Sequence, residues 1–252
     1  MKKLLGLSVL VILLMTACDD EEPVVPEPGD IKLTLLHSVD DQNLQIGEER
    51  IYMSPVGHPF SVSRLKYYVS NFSFHKNDGS KYDTDIVHYR EEGIEDTKSF
   101  ILEKVPSGEY DKISFIYGLD EATNVDGGLE NTLTNQNMIW PIPGDQGYHY
   151  MKFEGRYDSL STGVILNFNL HTGATQNNQN YVEITLDLPN KVIIDNNTWE
   201  IDLVMDMMEW LQNPTDYDFA EFGQAIMMNQ NAQEVLKANG TDVWSVDRVA
   251  QQ

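Results

Sequence analysis

The sequence predicts an all-β protein, a β-sandwich or distorted barrel of mostly antiparallel strands with a short helical C-terminal appendage. Three observations predict it. From residue 31 to residue 207, apolar and partly alternating runs of strand length follow one another, set apart by turns rich in Gly, Asn and Asp. Helix signals are confined to two places. No internal repeat interrupts the series, and no linker divides it after residue 30, so residues 31–252 read as one domain.

The elements follow in order. Residues 31–39 are apolar and β-branched at their start. Residues 60–75 form a long, partly alternating run that ends in Asn77-Asp78-Gly79, a good turn sequence. Strands follow at 86–89, 100–105 and 113–117, with Pro106-Ser107-Gly108 as punctuation. Further strands are expected at 148–157, 164–170, 181–188, 191–194 and 199–207. A short helical segment is expected around 129–136. At the C-terminus, Asp216 or Asp218 can cap a helix running to about 228, and a second helix over 232–238 stops at Asn239-Gly240, giving a helical segment over 216–239.

The N-terminus reads as an export signal. Lys2 and Lys3 precede the apolar run 4–15, which is too short for a stable membrane span. Thr16 and Ala17 lead into Cys18, the single cysteine of the chain, and the order LMTAC resembles the bacterial lipobox. Residues 1–17 are therefore read as a lipoprotein signal peptide and Cys18 as the acylated first residue of the mature chain. Residues 18–30, acidic and rich in proline, form a tether that can bury little. An outer-membrane lipoprotein facing the periplasm or the cell surface is the expected location.

The net charge of −23 excludes nucleic acid as a partner, and removal of Lys2 and Lys3 with the leader makes the mature chain more negative still. With one lipidated cysteine there is no disulfide and no thiolate metal site. Any metal must use His, Met, carboxylates, amides or backbone. The sequence contains no Ser-His-Asp order, phosphate loop or zinc-protease helix, and the expectation is a binding protein and not an enzyme.

The densest chemistry lies in MIWPIPGDQGYHYMKFEG (138–155) and the HTG of 171–173. Imidazole and thioether suit copper. If the hairpin formed by 148–157 and 164–170 turns about Leu160, His149 stands opposite His171, with Cβ atoms about 5 Å apart. The alternation resists that register, because Val164, Leu166, Phe168 and Leu170 form an apolar face opposite to His171. A bulge at Gly155 or Gly163 would reconcile the two. Met205, Met207, Met208, Met227 and Met228 read as core packing, whereas Met138 and Met151 lie near the candidate site and are the methionines to test as ligands. Asp120, Asn124 and Asp126 could hold calcium, but the loop lacks the EF-hand glutamate and glycine in register, and a turn-rich acidic loop is the better reading.

These pieces form an ordered set together with LTLLHSVDDQNL (33–44), GHPFSVSRLKYYVSNFSFHKNDG (57–79), KVPSGEYDKISFIYGLD (104–120) and, more weakly, IMMNQNAQEVLKANGTDVWSV (226–246). The set resembles the MbnP-like copper-binding domain family, named after a periplasmic protein of methanobactin operons, and covers nearly all of the mature chain. The resemblance implies copper as cofactor, held by His37, His149 and His171. It also implies that Trp140 is oxidised to kynurenine by a partner dihaem, peroxidase-like enzyme and then helps to bind the metal. His75 has no such support, and neither do His58 and His88. The implied role is copper acquisition, storage or delivery. Binding is then expected to fail as protons compete near pH 6.5, the ordinary imidazole value. The alternative is a surface β-sandwich lipoprotein that binds a polysaccharide or a protein partner through Tyr148, Tyr150 and Trp140.

Overall fold

A computed structural model describes residues 26–142 and 146–252. The leader, Cys18 and most of the tether lie outside the described residues. The strands are β1 (Gly29–Val39), β2 (Gln42–Asn43), β3 (Tyr52–Met53), β4 (Pro59–His75), β5 (Lys81–Asp83), β6 (Val87–Glu91), β7 (Ser99–Val105), β8 (Gly108–Tyr117), β9 (His149–Asp158), β10 (Ile165–Gly173), β11 (Val182–Ile194), β12 (Thr198–Asp206) and β13 (Trp244–Gln251). The helices are α1 (Leu133–Gln136), α2 (Phe219–Phe222) and α3 (Gln230–Asn239).

Two open sheets face each other. One runs β13-β12-β1-β2, with β7 also paired to β1; the other runs β10-β9-β4-β8-β11, with β3, β5 and β6 added along β4. The expected all-β sandwich with small helical parts is what the chain forms. β4 organises the larger sheet, because its 17 residues pair in succession with β3, β9, β6, β8 and β5. Between the named strands, pairing is antiparallel except for β1 and β12, which run parallel with Ile31 beside Trp199 and His37 beside Met205.

Period-two alternation decides which side chains meet between the sheets. On β1, Ile31, Leu33 and Leu35 are fully buried, and His37 continues their inward row. Tyr67, Val69, Met151, Phe153, Phe168 and Leu170 answer from the larger sheet. Tyr68, Leu119, Met138, Tyr148 and Tyr150 form a second, smaller cluster under the loops.

The helical expectation at the C-terminus needs correction. Asp218 does cap a helix, with its carboxylate accepting from the Ala220 N–H at 2.7 Å, but the helix ends at Phe222, where Gly223 takes φ +85°. The chain also does not end in helix. After α3 it returns as β13, pairs with β12 and buries Trp244 in the core. The expected strands at 181–188 and 191–194 are one strand, β11, interrupted by a register shift between Asp187 and Val192.

Candidate metal centre

The β9–β10 hairpin creates the site, and its register differs from the one expected. Asp158 pairs with Ile165, so the turn centres between Ser161 and Thr162 and not on Leu160. His171 therefore lies opposite Lys152, on the face away from the core, while Leu170 and Phe168 lie opposite Phe153 and Gly155 on the core side. The bulge is real but sits elsewhere. The pairing passes from Thr172↔Met151 to Gly173↔His149, which leaves Tyr150 as the additional residue on β9. That one residue takes His149 out of the inward alternation of Met151 and Phe153 and turns it toward the face that carries His171.

The two imidazoles meet edge to face, with ring centroids 5.1 Å apart. Trp140 closes the third side, its ring 4.8 Å from that of His149. The segment carrying Trp140 is not free loop. Ile139 bridges Tyr148 in antiparallel fashion, Trp140 N–H donates to the Gly147 carbonyl at 2.9 Å, and His149 N–H donates to the Met138 carbonyl at 2.6 Å. Gly173 is required beneath the indole: a Cβ there would come within 2.6 Å of Trp140 Cε3 and Cζ3.

Hydrogen bonds fix the tautomer of His149 and the orientation of His171. His149 Nδ1 lies 2.9 Å from the Met138 carbonyl, which can only accept, so the proton is on Nδ1 and Nε2 keeps its lone pair. That Nε2 is buried and has no hydrogen-bond partner among the described residues, and neither has Trp140 Nε1. Burial, with Lys152 nearby, pushes the His149 imidazole down to about 3, so it is neutral at ordinary pH. His171 Nε2 donates to Glu154 Oε1 at 2.8 Å, so Nδ1 is the nitrogen left for a further partner. Burial raises the Glu154 carboxyl, but the hydrogen bond from His171 and the charges of His171 and Arg64 outweigh this and hold it below the usual range. An imidazole held by a carboxylate on one nitrogen and open on the other is the usual preparation of a metal ligand. The donor set therefore fits a nitrogen-preferring metal.

His37 is not brought to this pair, and the expected three-histidine convergence is not what the fold produces. His37 points between the sheets, whereas His171 lies on the outer face of the larger one. Its Nε2 meets Tyr67 Oη at 2.8 Å and its Nδ1 meets Glu92 at 2.5 Å, with Arg90 also on Glu92 at 2.7 Å, beside a surface cavity of about 290 Å³. Burial lowers the His37 imidazole despite the Glu92 hydrogen bond. Among the described residues, no three His, Cys, Asp or Glu side chains are placed to hold one ion. The other histidines are engaged as well: His58 with Asp218 and the Asp158 carbonyl, His75 with Ser114, and His88 with the Thr97 carbonyl.

Met138 and Met151 are both fully buried. Met151 belongs to the inter-sheet core, and Met138 reaches His149 through its carbonyl. Tyr148, Tyr150 and Trp140 are all 4% exposed or less, so they offer no solvent-facing platform to a glycan.

Three positioning residues escape sequence reading. Asn124 Oδ1 accepts from the Tyr148 N–H at 2.8 Å, and its amide donates to Tyr150 Oη at 3.0 Å, so the oxygen considered for calcium instead clamps the residues flanking His149. Gln233 of α3, fully buried, donates to the His171 carbonyl at 2.8 Å and accepts from the Gly173 N–H at 3.3 Å. Asn180 donates to the Gly173 carbonyl at 2.8 Å. A buried glutamine in an amphipathic helix was the available signal, and its partner lies 62 residues away in sequence. Gln233→Ala strands both backbone groups and should cost about 1–3 kcal/mol in chemical denaturation. An unchanged midpoint would show that the clamp contributes nothing.

Comparison with known proteins agrees with this architecture. The MbnP family model matches residues 28–230. Among solved structures, MbnP from Methylosinus trichosporium aligns with a TM-score of 0.51 at 11% identity, over 88% of this chain and 98% of that one, a likeness of fold. No curated protein matches. Because the family model spans most of the sequence, including both strands of the hairpin and Trp140, the chain belongs to the MbnP family.

Proposed function

We propose that this chain is an exported, lipid-anchored copper-binding protein serving copper acquisition, storage or delivery, with His149 and His171 as its imidazole ligands. One observation carries the reading: the ring of His149, in a fixed tautomer and with its buried Nε2 lacking a hydrogen-bond partner among the described residues, packs against the ring of His171 and the indole of Trp140. Imidazole donors in such a pair suit copper in either oxidation state. The reading is of a binding protein and not of an enzyme. Its test is metal analysis of the protein purified from its native host, where about one copper per chain is expected; zinc in its place, or no metal at all, would overturn the reading.

Two imidazoles leave the coordination incomplete, and an indole N–H can only donate. We take Trp140 to supply the further donor after oxidation to kynurenine by a partner dihaem, peroxidase-like enzyme. Two peroxide equivalents would deliver one oxygen atom each to indole C2 and C3, break the bond between them and leave as water. Hydrolysis would then release C2 as formate, leaving an aryl ketone and an aniline. Mass spectrometry of the native peptide containing Trp140 should show this change there and not at Trp199, Trp210 or Trp244. Intact Trp140 in fully copper-loaded native protein would remove the modification from the scheme.

Anchoring rests on LMTAC, residues 14–18. Cys18→Ala should move the protein from the membrane fraction to the soluble fraction, because the acyl chains supply its membrane affinity. Retention of the variant in the membrane would exclude Cys18 as the anchor.

A further inference from the structure

The His149–His171 pair is set where a lone cation should be repelled. Lys66 of β4, Lys152 of β9 and His171 of β10 lie directly opposite one another on three adjacent strands, so their side chains leave the sheet on the same outer face. Like charges placed opposite each other on paired strands destabilise a sheet. Both lysines are half-buried. Among the described residues, neither has a carboxylate within ion-pair distance, although Arg64 and Arg156 beside them are paired with Glu154 and Glu48.

The nearby acids already have partners. Glu154 holds His171 and Arg64, and Glu91, opposite Lys66 on β6, accepts from the Tyr89 hydroxyl. The Lys152 ammonium donates to the Asn137 carbonyl at 2.7 Å, one residue before the Met138 carbonyl that anchors His149. Fixed positive charge thus flanks a candidate cation site in a chain with 40 acidic and 17 basic residues. Carboxylates are plentiful on this protein, yet Lys66 and Lys152 share the outer face with His171, and the charges of both act on His149.

We propose that this site takes copper together with a small oxyanion of the carbonate or carboxylate class, which bridges the metal to Lys66 and Lys152. The inference rests on the copper reading above. An oxyanion has separate oxygens to coordinate the ion and to accept from the ammonium donors, and its charge offsets theirs. Two imidazoles, with or without a donor from residue 140, leave a position for it.

The test is Cu(II) titration of the full chain, produced in its native host, in carbonate-free sodium perchlorate with and without sodium bicarbonate. Affinity is followed by competition and coordination by electron paramagnetic resonance. Bicarbonate should tighten copper binding about tenfold and change the copper hyperfine pattern. In the Lys66→Met/Lys152→Met variant the bicarbonate effect should vanish, while affinity in perchlorate alone should rise because two repelling charges are gone. Lys66→Gln, which leaves the Lys152 contact with the Asn137 carbonyl in place, should show the same trends at smaller size if the double variant does not fold. Copper binding that is equally tight and spectroscopically identical in both media would overturn the oxyanion proposal and leave the copper reading standing. Absence of copper binding in either medium would overturn both.

Discussion

Substitution of His149 by alanine is expected to lower copper affinity by on the order of a hundredfold or more, since loss of even an outer-shell partner commonly costs about 10–100-fold. His171→Ala should act similarly, because its ring is the second donor of the proposed site and Glu154 cannot replace it while tied to Arg64. His37→Ala and His75→Ala should leave copper affinity within about threefold, since both side chains are engaged elsewhere. Competition titrations with a copper chelator read all four. Equal affinities across the set would remove the two-histidine site, and a large loss in His37→Ala would restore the three-histidine set that the family resemblance implies.

The same geometry changes the expected pH dependence. A free imidazole would lose copper to protons near pH 6.5. Burial holds His149 down to about 3, so protons should compete at that ligand only in much stronger acid. Linkage gives the matching effect on the metal-free protein. The folded-state value lies below the unfolded one, so the contribution to stability is fully present above pH 6.5 and is lost progressively as the pH falls toward 3. His37, also lowered by burial, and Glu92, lowered by its hydrogen bond with His37, add slopes of the same sign. Denaturation of the metal-free protein over this range should show falling stability, and His149→Phe should flatten the curve without abolishing its slope.

Phe168→Ala should be the most damaging single core truncation near the site, costing about 3–5 kcal/mol. Its ring stacks on Phe219 at 4.5 Å and meets Phe153 and Phe60 edge to face at 5.2 and 6.2 Å. Gly155 opposite it leaves the space the ring occupies, since a Cβ there would come within 2.6 Å of Phe168 Cζ. Strand pairing on both sides of β9 keeps this cavity from collapsing. For a domain of this size the loss corresponds to a fall in Tm on the order of 10 °C. A fall of only a degree or two would mean that the hairpin repacks freely, in which case the positions of His149 and His171 would not be rigidly set.

Part of the site was legible because it is local. His149 and His171 belong to one hairpin, and a short connection between two strands makes them neighbours in almost any register. The exact pairing was not legible. The apolar alternation of 164–170 already placed His171 on the outer face, but nothing in Tyr148-His149-Tyr150 marks Tyr150 as the additional residue of a bulge. His37 was harder, because its family resemblance is a statement about sequence position. Its inward direction follows only from the row Ile31, Leu33 and Leu35, and its partners Tyr67 and Glu92 lie 30 and 55 residues away. The C-terminal strand went unread for a similar reason: Trp244–Gln251 is short and polar, and becomes a strand because β12 offers it an edge.

The sequence by itself determined the all-β class, the long central strand, the hairpin carrying the two histidines and the family. Period-two patterning, turn residues and ordered motifs are properties of adjacent residues and survive without a fold. Only the tertiary structure decided that the Met138 carbonyl holds His149 and the Glu154 carboxylate holds His171, that Trp140 lies over Gly173, and that two lysines share the outer face with His171. Those depend on register and on contacts between distant strands, where a shift of one residue carries a side chain to the opposite face of the sheet.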